Sequence, residues 1–350
     1  DPAVAFVANN GEITGVGAGV ASITVKVTAS GNDPVVGSFE ITVVDPESIQ
    51  GVKTRSTYYT DEKVAAAREN VLMYEWAAKE RDNAISRADT YVALGDEYLW
   101  NLVTPPTLPR AIYHLTRNKA GEIGCPVCGV AQNKHGTNPW LIDPINKPWK
   151  LTCPECNTVF PTNDFESFYK SGLDKHGLFN PDLADRSLLV NTLYPEKGPT
   201  WGVDDGMGWR NGNDINVFIA YYNHWGVWYN RGIVSQALNA FRDAYLYSGD
   251  LQYAHAGIIL LDRIADVYPD MDITDFRYED GFDNGIPSMH TYQGKILHDI
   301  WETGLVKNFI MAYDAFYPAL AESDRANVVP FLSAQSDRYD LGVKKYSAGG

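Results

Sequence analysis

Residues 1–50 of this 350-residue chain contain no tryptophan, cysteine or histidine. All nine tryptophans lie at or after Trp76, and all seven histidines lie at or after His114. So sharp a break in composition predicts a domain boundary near residues 45–57. The chain also lacks any run of about 18 apolar residues, the minimum for a transmembrane helix, so no membrane span is expected.

Two further shortages exclude other classes of protein. The first residues have neither the basic start nor the long apolar stretch of a signal peptide, so we expect the chain to begin inside a longer protein. Basic residues are few: the chain has 29 Lys and Arg and 44 Asp and Glu, which gives a net charge of −15. That balance disfavours nucleic acid and anionic membranes as partners.

The first 47 residues read as strands. Ile23–Val27 and Phe39–Val43 alternate in hydrophobicity and are bounded by glycine-rich turns. The string from Asn10 to Val25 resembles the C-terminal half of a bacterial Ig-like (group 2) domain. That resemblance implies that residues 1–47 are part of a small β-sandwich, a spacer or adhesion unit of exported bacterial proteins. A secreted or cell-surface location is expected on the same ground.

Residues 58–350 read as mainly helical. Thr60 is a predicted N-cap, and apolar residues then recur every three or four positions as far as Ala78. A second helix is predicted to stop at Gly249, and a partner helix follows it directly. Helix pairs joined by short turns, with no alternating strands, predict an (α/α) toroid or a solenoid, and the fold class expected is an incomplete (α/α) toroid.

Four cysteines lie in two CPxC motifs, with a 24-residue spacer between them. Two thiolates on one tight turn suit two corners of a tetrahedron, so the pair of motifs predicts a structural Zn²⁺ site in an insert at about residues 121–165. Two disulfides are the alternative. Neither arrangement leaves an open position for a substrate. The predicted ligands are Cys125, Cys128, Cys153 and Cys156.

Three helical motifs occur in the order found in one enzyme family. The segment 240–254, with its Ser248-Gly249-Asp250 turn, is similar to a helical hairpin of heparinase II/III-like polysaccharide lyases. The segments 294–302 and 312–316 are similar to the two helices that follow it, and the cysteine insert resembles one found in some members. The resemblance spans roughly residues 60–320. It implies a toroid followed by a β-sandwich, acting on uronic-acid polymers such as alginate or heparin-like chains by β-elimination.

β-Elimination sets clear requirements on side chains. A proton next to a carboxylate must leave, so a polar group must offset the carboxylate's charge, a base must take the proton, and an acid must protonate the leaving oxygen. We predict His224 as base and Tyr292 as acid. We also predict a set of residues that contact an acidic polysaccharide: Trp209, Asn213, Tyr222, Asn223, Trp225 and Lys295.

One departure from the family limits this prediction. The family's catalytic Asn or His and Tyr follow the element matched here by 312–316, and another His comes from the β-sandwich, but neither an Asn–His pair nor a β-rich region follows Ala312 before Gly350, the last residue of the chain. Since it is this Asn–His pair and this β-rich region that are missing after Ala312, we expect the main catalytic residues to lie beyond Gly350, so that the chain lacks much of its active centre. Residues 201–300 are also acidic, with 14 Asp and Glu against six Lys and Arg, an unfavourable setting for a polyanion.

Two other functions remain open from the sequence. A glycoside hydrolase of toroid fold would use paired carboxylates, for which Asp204 or Asp205 with Glu279 or Asp280 are candidates. Asp204 and Asp205 could instead hold a cation. A carbohydrate-binding or adhesion module without turnover is the other function, suggested by the Ig-like start and the many aromatic residues.

Overall fold

The computed structural model describes most of the chain. About half of the described residues are helical, and the strands form small antiparallel sheets. The chain divides into two compact units between Lys53 and Thr54, each described below by itself. The described residues are 2–8, 13–17, 19–27, 34–43, 55–110, 124–136, 139–212, 214–229, 231–271, 295–296 and 299–321.

Several residues named in the predictions from sequence lie outside the described residues. They are Asn213 and Tyr292 of the predicted site, and Glu279 and Asp280 of the hydrolase alternative. Gly350, the position beyond which the main catalytic residues are expected, also lies outside them. The expectation about Gly350 therefore stays a prediction, and so do the roles assigned to Asn213 and Tyr292.

The N-terminal unit contains two antiparallel strand pairs. Strand β1 (Ala5–Val7) pairs with β2 (Ile13–Gly15), and β3 (Gly19–Val27) pairs with β4 (Val35–Val43) over nine residues each. Both predicted strands lie within β3 and β4. The buried residues among those described are Val4, Ala5 and Ala21, so this unit encloses a small core. The Ig-like assignment remains a prediction.

The second unit begins with helices α1 (Asp61–Met73), α2 (Glu75–Val92) and α3 (Asp96–Leu102). The predicted helix through Ala78 is therefore wrong in one respect, because it breaks at Tyr74. This residue is extended, with φ −125° and ψ 129°; its N–H closes α1 on the Asn70 carbonyl, and its own carbonyl opens α2. Neither glycine nor proline marks the break.

The predicted helical hairpin is confirmed and forms the centre of this unit. Helix α6 (Ile233–Ser248) ends at Gly249, whose φ of 77° is a left-handed conformation that glycine adopts without steric cost. Asp250 then caps α7 (Leu251–Val267) by accepting from the Gln252 N–H. Helix α6 packs against α1, α2, α7 and α8 (Asp299–Ala321). Whether these helices belong to a toroid stays a prediction.

The segment between α3 and α6 is rich in loops and short elements. The cysteine insert contains a three-stranded sheet of two-residue strands, and a π-helical turn precedes α6. These elements are β5 (Leu141–Ile142), β6 (Leu151–Thr152), β7 (Val159–Phe160), α4 (Phe165–Ser171), β8 (Trp209–Asn211), β9 (Asp214–Asn216), α5 (Phe218–Tyr221) and the π-helix Tyr222–Trp228. None of the helices described is both long and apolar enough to cross a bilayer.

A buried carboxylate ties the start of this unit to its last described helix. Asp314 of α8 accepts hydrogen bonds from the backbone N–H groups of Thr57, Tyr58 and Tyr59, at 2.8 to 2.9 Å. Ser56 adds a bond to the Asp314 carbonyl. The carboxylate therefore satisfies three N–H groups ahead of α1 at once.

Replacing Asp314 by alanine should lower the free energy of unfolding by about 2–4 kcal/mol, because it leaves these donors without their acceptor. Urea denaturation monitored by circular dichroism measures the loss. The control is Asp61→Ala, which removes an exposed carboxylate from the first turn of α1. Equal stability of Asp314→Ala and the control would contradict this role of Asp314.

Candidate functional site

The four cysteine sulfurs form one cluster. All of them lie within 4.8 Å of one another, and the Sγ atoms of Cys125 and Cys156, like those of Cys128 and Cys153, are 3.6 Å apart. Tetrahedral zinc with Zn–S bonds of about 2.3 Å holds its sulfurs about 3.8 Å apart. The cluster is therefore compatible with a structural metal ion, as predicted.

The backbone around each cysteine pair explains why the sulfurs converge. Both motifs turn at the residue four positions after their first cysteine, where Gly129 has φ 61° and Asn157 has φ 58°. The N–H of each of these residues bonds back to the carbonyl of that first cysteine, at 2.7 Å from Gly129 to Cys125 and 2.9 Å from Asn157 to Cys153. The two tight turns aim their sulfurs at a shared point.

The disulfide alternative does not match this geometry. A disulfide needs its sulfurs about 2.05 Å apart, and the four cysteines are free thiols whose closest sulfurs pair across the two motifs. Burial raises the pKa of the Cys125 thiol above its usual range and that of Cys128 to about 11. A bound divalent cation offsets this cost, because metal-bound thiols are deprotonated.

The predicted base lies on the π-helix with the residue before it. His224 and Asn223 are both buried, at 3% and 0% exposure. The Asn223 amide donates to the Pro109 carbonyl, and His224 Nδ1 lies 3.0 Å from the Arg110 carbonyl. A carbonyl only accepts hydrogen bonds, so Nδ1 is the donor in this contact.

Two other predicted residues lie near this pair. The Trp225 ring is 4.8 Å from that of His224. Lys295 approaches through its backbone, because its carbonyl accepts from the Arg110 guanidinium. The Lys295 ammonium turns elsewhere and lies 5.8 Å above the Tyr268 ring. Trp225 thus contacts the imidazole of His224, whereas Lys295 contacts the side chain of Arg110.

Trp209 and Tyr222 lie in other surroundings. Trp209 packs in an aromatic cluster with Trp201 and Phe218, at ring distances of 5.8 and 6.5 Å. Tyr222 is buried against Trp149, with ring centres 5.2 Å apart. The structure therefore divides the predicted substrate-binding set between separate locations.

Asp204 has a structural environment that the sequence did not predict. Its carboxylate is fully buried and accepts the backbone N–H groups of Gly206, Gly208 and Ile219 at 2.7 to 3.0 Å. Burial raises the pKa of Asp204 to about 6, although these bonds act in the opposite direction. Asp205 pairs with Arg186. Backbone donors thus occupy the Asp204 carboxylate, which the sequence had suggested as a cation ligand or hydrolase acid.

A cleft of about 500 Å³, which the sequence did not predict, lies between α3, α4, the insert and the π-helix. Its aromatic wall comes from residues far apart in the chain. A Trp in the spacer between two cysteine motifs, preceded by proline and followed by lysine, was the only local signal available. The lining residues used below are Glu97, Tyr98, Asn101, Trp149, Tyr169 and Tyr222.

The cysteine insert positions the tryptophan of this cleft. Trp149 has φ 61°, a conformation that costs a non-glycine residue about 1–2 kcal/mol. Next to it, Lys150 is held by the carbonyls of Pro161 and Asn163, at 2.7 and 2.6 Å, and burial lowers its pKa to about 8. Strand β6 then leads directly to Cys153. The insert therefore contains the sulfur cluster and also supplies one wall of the cleft.

Comparisons with protein families, with curated proteins and with solved structures find no match to this chain.

Proposed function

We propose that this chain is part of an exported bacterial polysaccharide lyase that cleaves a uronic-acid polymer, such as alginate or a heparin-like chain, by β-elimination. The ordered helical motifs between residues 240 and 316 suggest the class of enzyme and its toroid, and the string from Asn10 to Val25 suggests the Ig-like start. The observation that carries the proposal is the placement of Asn223 and His224 side by side on the π-helix, with the His224 ring oriented by a 3.0 Å contact from Nδ1 to the Arg110 carbonyl.

The proposed reaction uses three side chains. His224 Nε2 takes the proton from C5 of the uronate, the C4–O4 bond breaks, and a C4=C5 double bond forms as Tyr292 gives its proton to the departing O4. Asn223 offsets the charge that builds on the carboxylate. Its amide is oriented by the bond to the Pro109 carbonyl.

Zinc is the metal we propose for the cysteine cluster. Four thiolates in a closed tetrahedron suit Zn²⁺ and leave no position for a substrate, so its role is to hold the insert. The ion takes no part in the elimination. In this proposal the catalytic chemistry belongs entirely to side chains, and no redox cofactor is required.

The test is ultraviolet absorbance of the unsaturated uronide, with the longest natural protein that contains this chain, because further catalytic residues are expected beyond Gly350. At least one uronic polymer should give the chromophore, and His224→Gln should lower the kcat of the folded enzyme by about 10²–10⁴. The control, His176→Gln, changes a histidine outside the π-helix and should retain full turnover. A melting temperature that falls while the surviving folded enzyme keeps its kcat would assign His224 to the core instead.

Hydrolysis and simple binding give different results in the same assay. Reducing ends without the chromophore would identify a glycoside hydrolase, and binding without any cleavage would identify a carbohydrate-binding module. The burial of Asp204 removes one of the carboxylates considered for hydrolysis. The aromatic cleft favours the binding module as the second candidate.

A further inference from the structure

We infer that the cleft between α3, α4 and the cysteine insert is a binding site for one uncharged hexose unit of a saccharide. Its volume of about 500 Å³ falls within the range of small-ligand pockets, which combine aromatic walls with a few polar groups. The inference does not rest on lyase activity, because it concerns residues other than the proposed base and acid.

The aromatic part of the cleft presents a packed surface for the apolar face of a sugar ring. Trp149, Tyr169 and Tyr222 are each less than a tenth exposed, and the Trp149 ring lies 4.8 and 5.2 Å from the other two. Tyr98 closes one side, with its hydroxyl bonded to the Pro144 carbonyl at 3.0 Å. These contacts hold the rings in place before any ligand arrives, which lowers the entropic cost of binding.

The polar part of the cleft comes from one face of α3. Glu97 and Asn101 are one helical turn apart, so both side chains lie on the same side of the helix. Both are exposed and line the cleft, and neither side chain hydrogen-bonds to another of the described residues. A carboxylate and an amide offer acceptors and donors for the hydroxyl groups of a sugar.

Charge selects an uncharged unit over a uronate. Two carboxylates line the cleft, those of Glu97 and Glu166, against the single ammonium of Lys170. Lys170 is paired with Glu166 at 2.6 Å, so no cation in the lining is left to meet a ligand carboxylate. An anionic sugar would approach Glu97 without compensation.

The cleft is also separate from the proposed catalytic pair. Tyr222 lines it, whereas His224 follows two residues later on the same π-helix, and residues two apart do not share a helix face. The His224 ring bonds the carbonyl of Arg110, which is not in the cleft lining. Sugar binding here and proton transfer at His224 can therefore be tested independently.

Binding of neutral trisaccharides, measured by isothermal titration calorimetry and tryptophan fluorescence, tests the inference. The probes are trisaccharides of glucose, mannose, galactose and N-acetylglucosamine. At least one should bind, and Asn101→Leu and Glu97→Ala should each weaken that binding about tenfold or more. The matched controls are Asn83→Leu and Glu80→Ala, exposed positions on α2, which should bind as the unaltered chain does. Circular dichroism establishes that every variant is folded.

Uronic trisaccharides provide the opposing probe. We expect them to bind at least tenfold more weakly than the best neutral trisaccharide. The inference is overturned if no neutral sugar binds, if uronic sugars bind more tightly, or if the α3 variants bind as their controls do. Because His224→Gln should bind neutral sugars normally, loss of lyase activity in that variant leaves this result unaffected.

Discussion

Replacing Cys153 by serine should abolish stoichiometric zinc binding and unfold the cysteine insert. The unaltered chain should carry about one zinc ion per molecule by elemental analysis, because four sulfurs already lie at tetrahedral spacing. Structural zinc sites contribute on the order of 10 kcal/mol to folding, and this insert has strands of only two residues to hold it otherwise. The variant should lose the near-ultraviolet signal of Trp149 and become sensitive to protease between residues 125 and 160.

The matched control is His135→Gln in the same insert. His135 lies 2.9 Å from Glu155 and is not one of the clustered ligands, so this variant should retain its zinc. Absence of both metal and free thiols in the denatured, unaltered chain would establish disulfides and refute the metal site. Retention of zinc by Cys153→Ser would show that the fourth sulfur is not required.

Replacing Asp262 by asparagine should stabilise the chain at neutral and alkaline pH. Asp262 is 2% exposed on α7, and its Oδ2 has no hydrogen-bond partner among the described residues. Burial, followed by the charge of Asp266, raises the pKa of this carboxyl from 3.8 to about 8, although Arg263 acts in the opposite direction. The Arg263 guanidinium also binds the Gly177 carbonyl and lies 4.8 Å from the Trp100 ring.

The direction of the pH effect follows from proton binding. Between pH 4 and pH 8 the folded chain keeps a proton on Asp262 that the unfolded chain releases. The free energy of unfolding therefore falls as pH rises through this window, by up to about 5 kcal/mol at its upper end. Asparagine resembles the protonated carboxyl and has no such proton to lose.

Urea denaturation at pH 5 and at pH 8 measures this difference. The advantage of Asp262→Asn over the unaltered chain should be several kcal/mol larger at pH 8 than at pH 5. Asp182→Asn, at an exposed loop position, should change stability equally at both values. An Asp262→Asn variant that tracks the unaltered chain at both pH values would refute a buried, protonated Asp262.

Features that depend on neighbouring residues could be predicted. The CPxC spacing predicted the sulfur cluster because each tight turn orients its own two thiols. The Ser248-Gly249-Asp250 turn predicted the end of α6 and the start of α7, because a left-handed glycine and an aspartate cap act within a few residues. The alternation of apolar and polar residues predicted β3 and β4, because it too is a pattern of neighbouring residues.

Other features gave no local signal. The break at Tyr74 lies in a segment that has neither glycine nor proline and whose apolar spacing continues through it. Asp204 is followed by Asp205 and glycine, a pattern typical of a solvated turn, yet it is fully buried. Trp149 reaches the cleft from a loop far beyond Asn101 of α3 in the chain, a separation that no periodic pattern spans.

The amino-acid sequence by itself determined the chemistry available over a few residues: where thiols pair, where a helix must stop, and which segments alternate. Tertiary structure alone decided which groups lose water and which distant groups meet, as when Cys125 approaches Cys156 or Asp314 caps the chain at Thr57. The physical reason is that burial depends on every element packed around a side chain. Helix propensity and residue spacing, in contrast, depend only on residues that are close together along the chain.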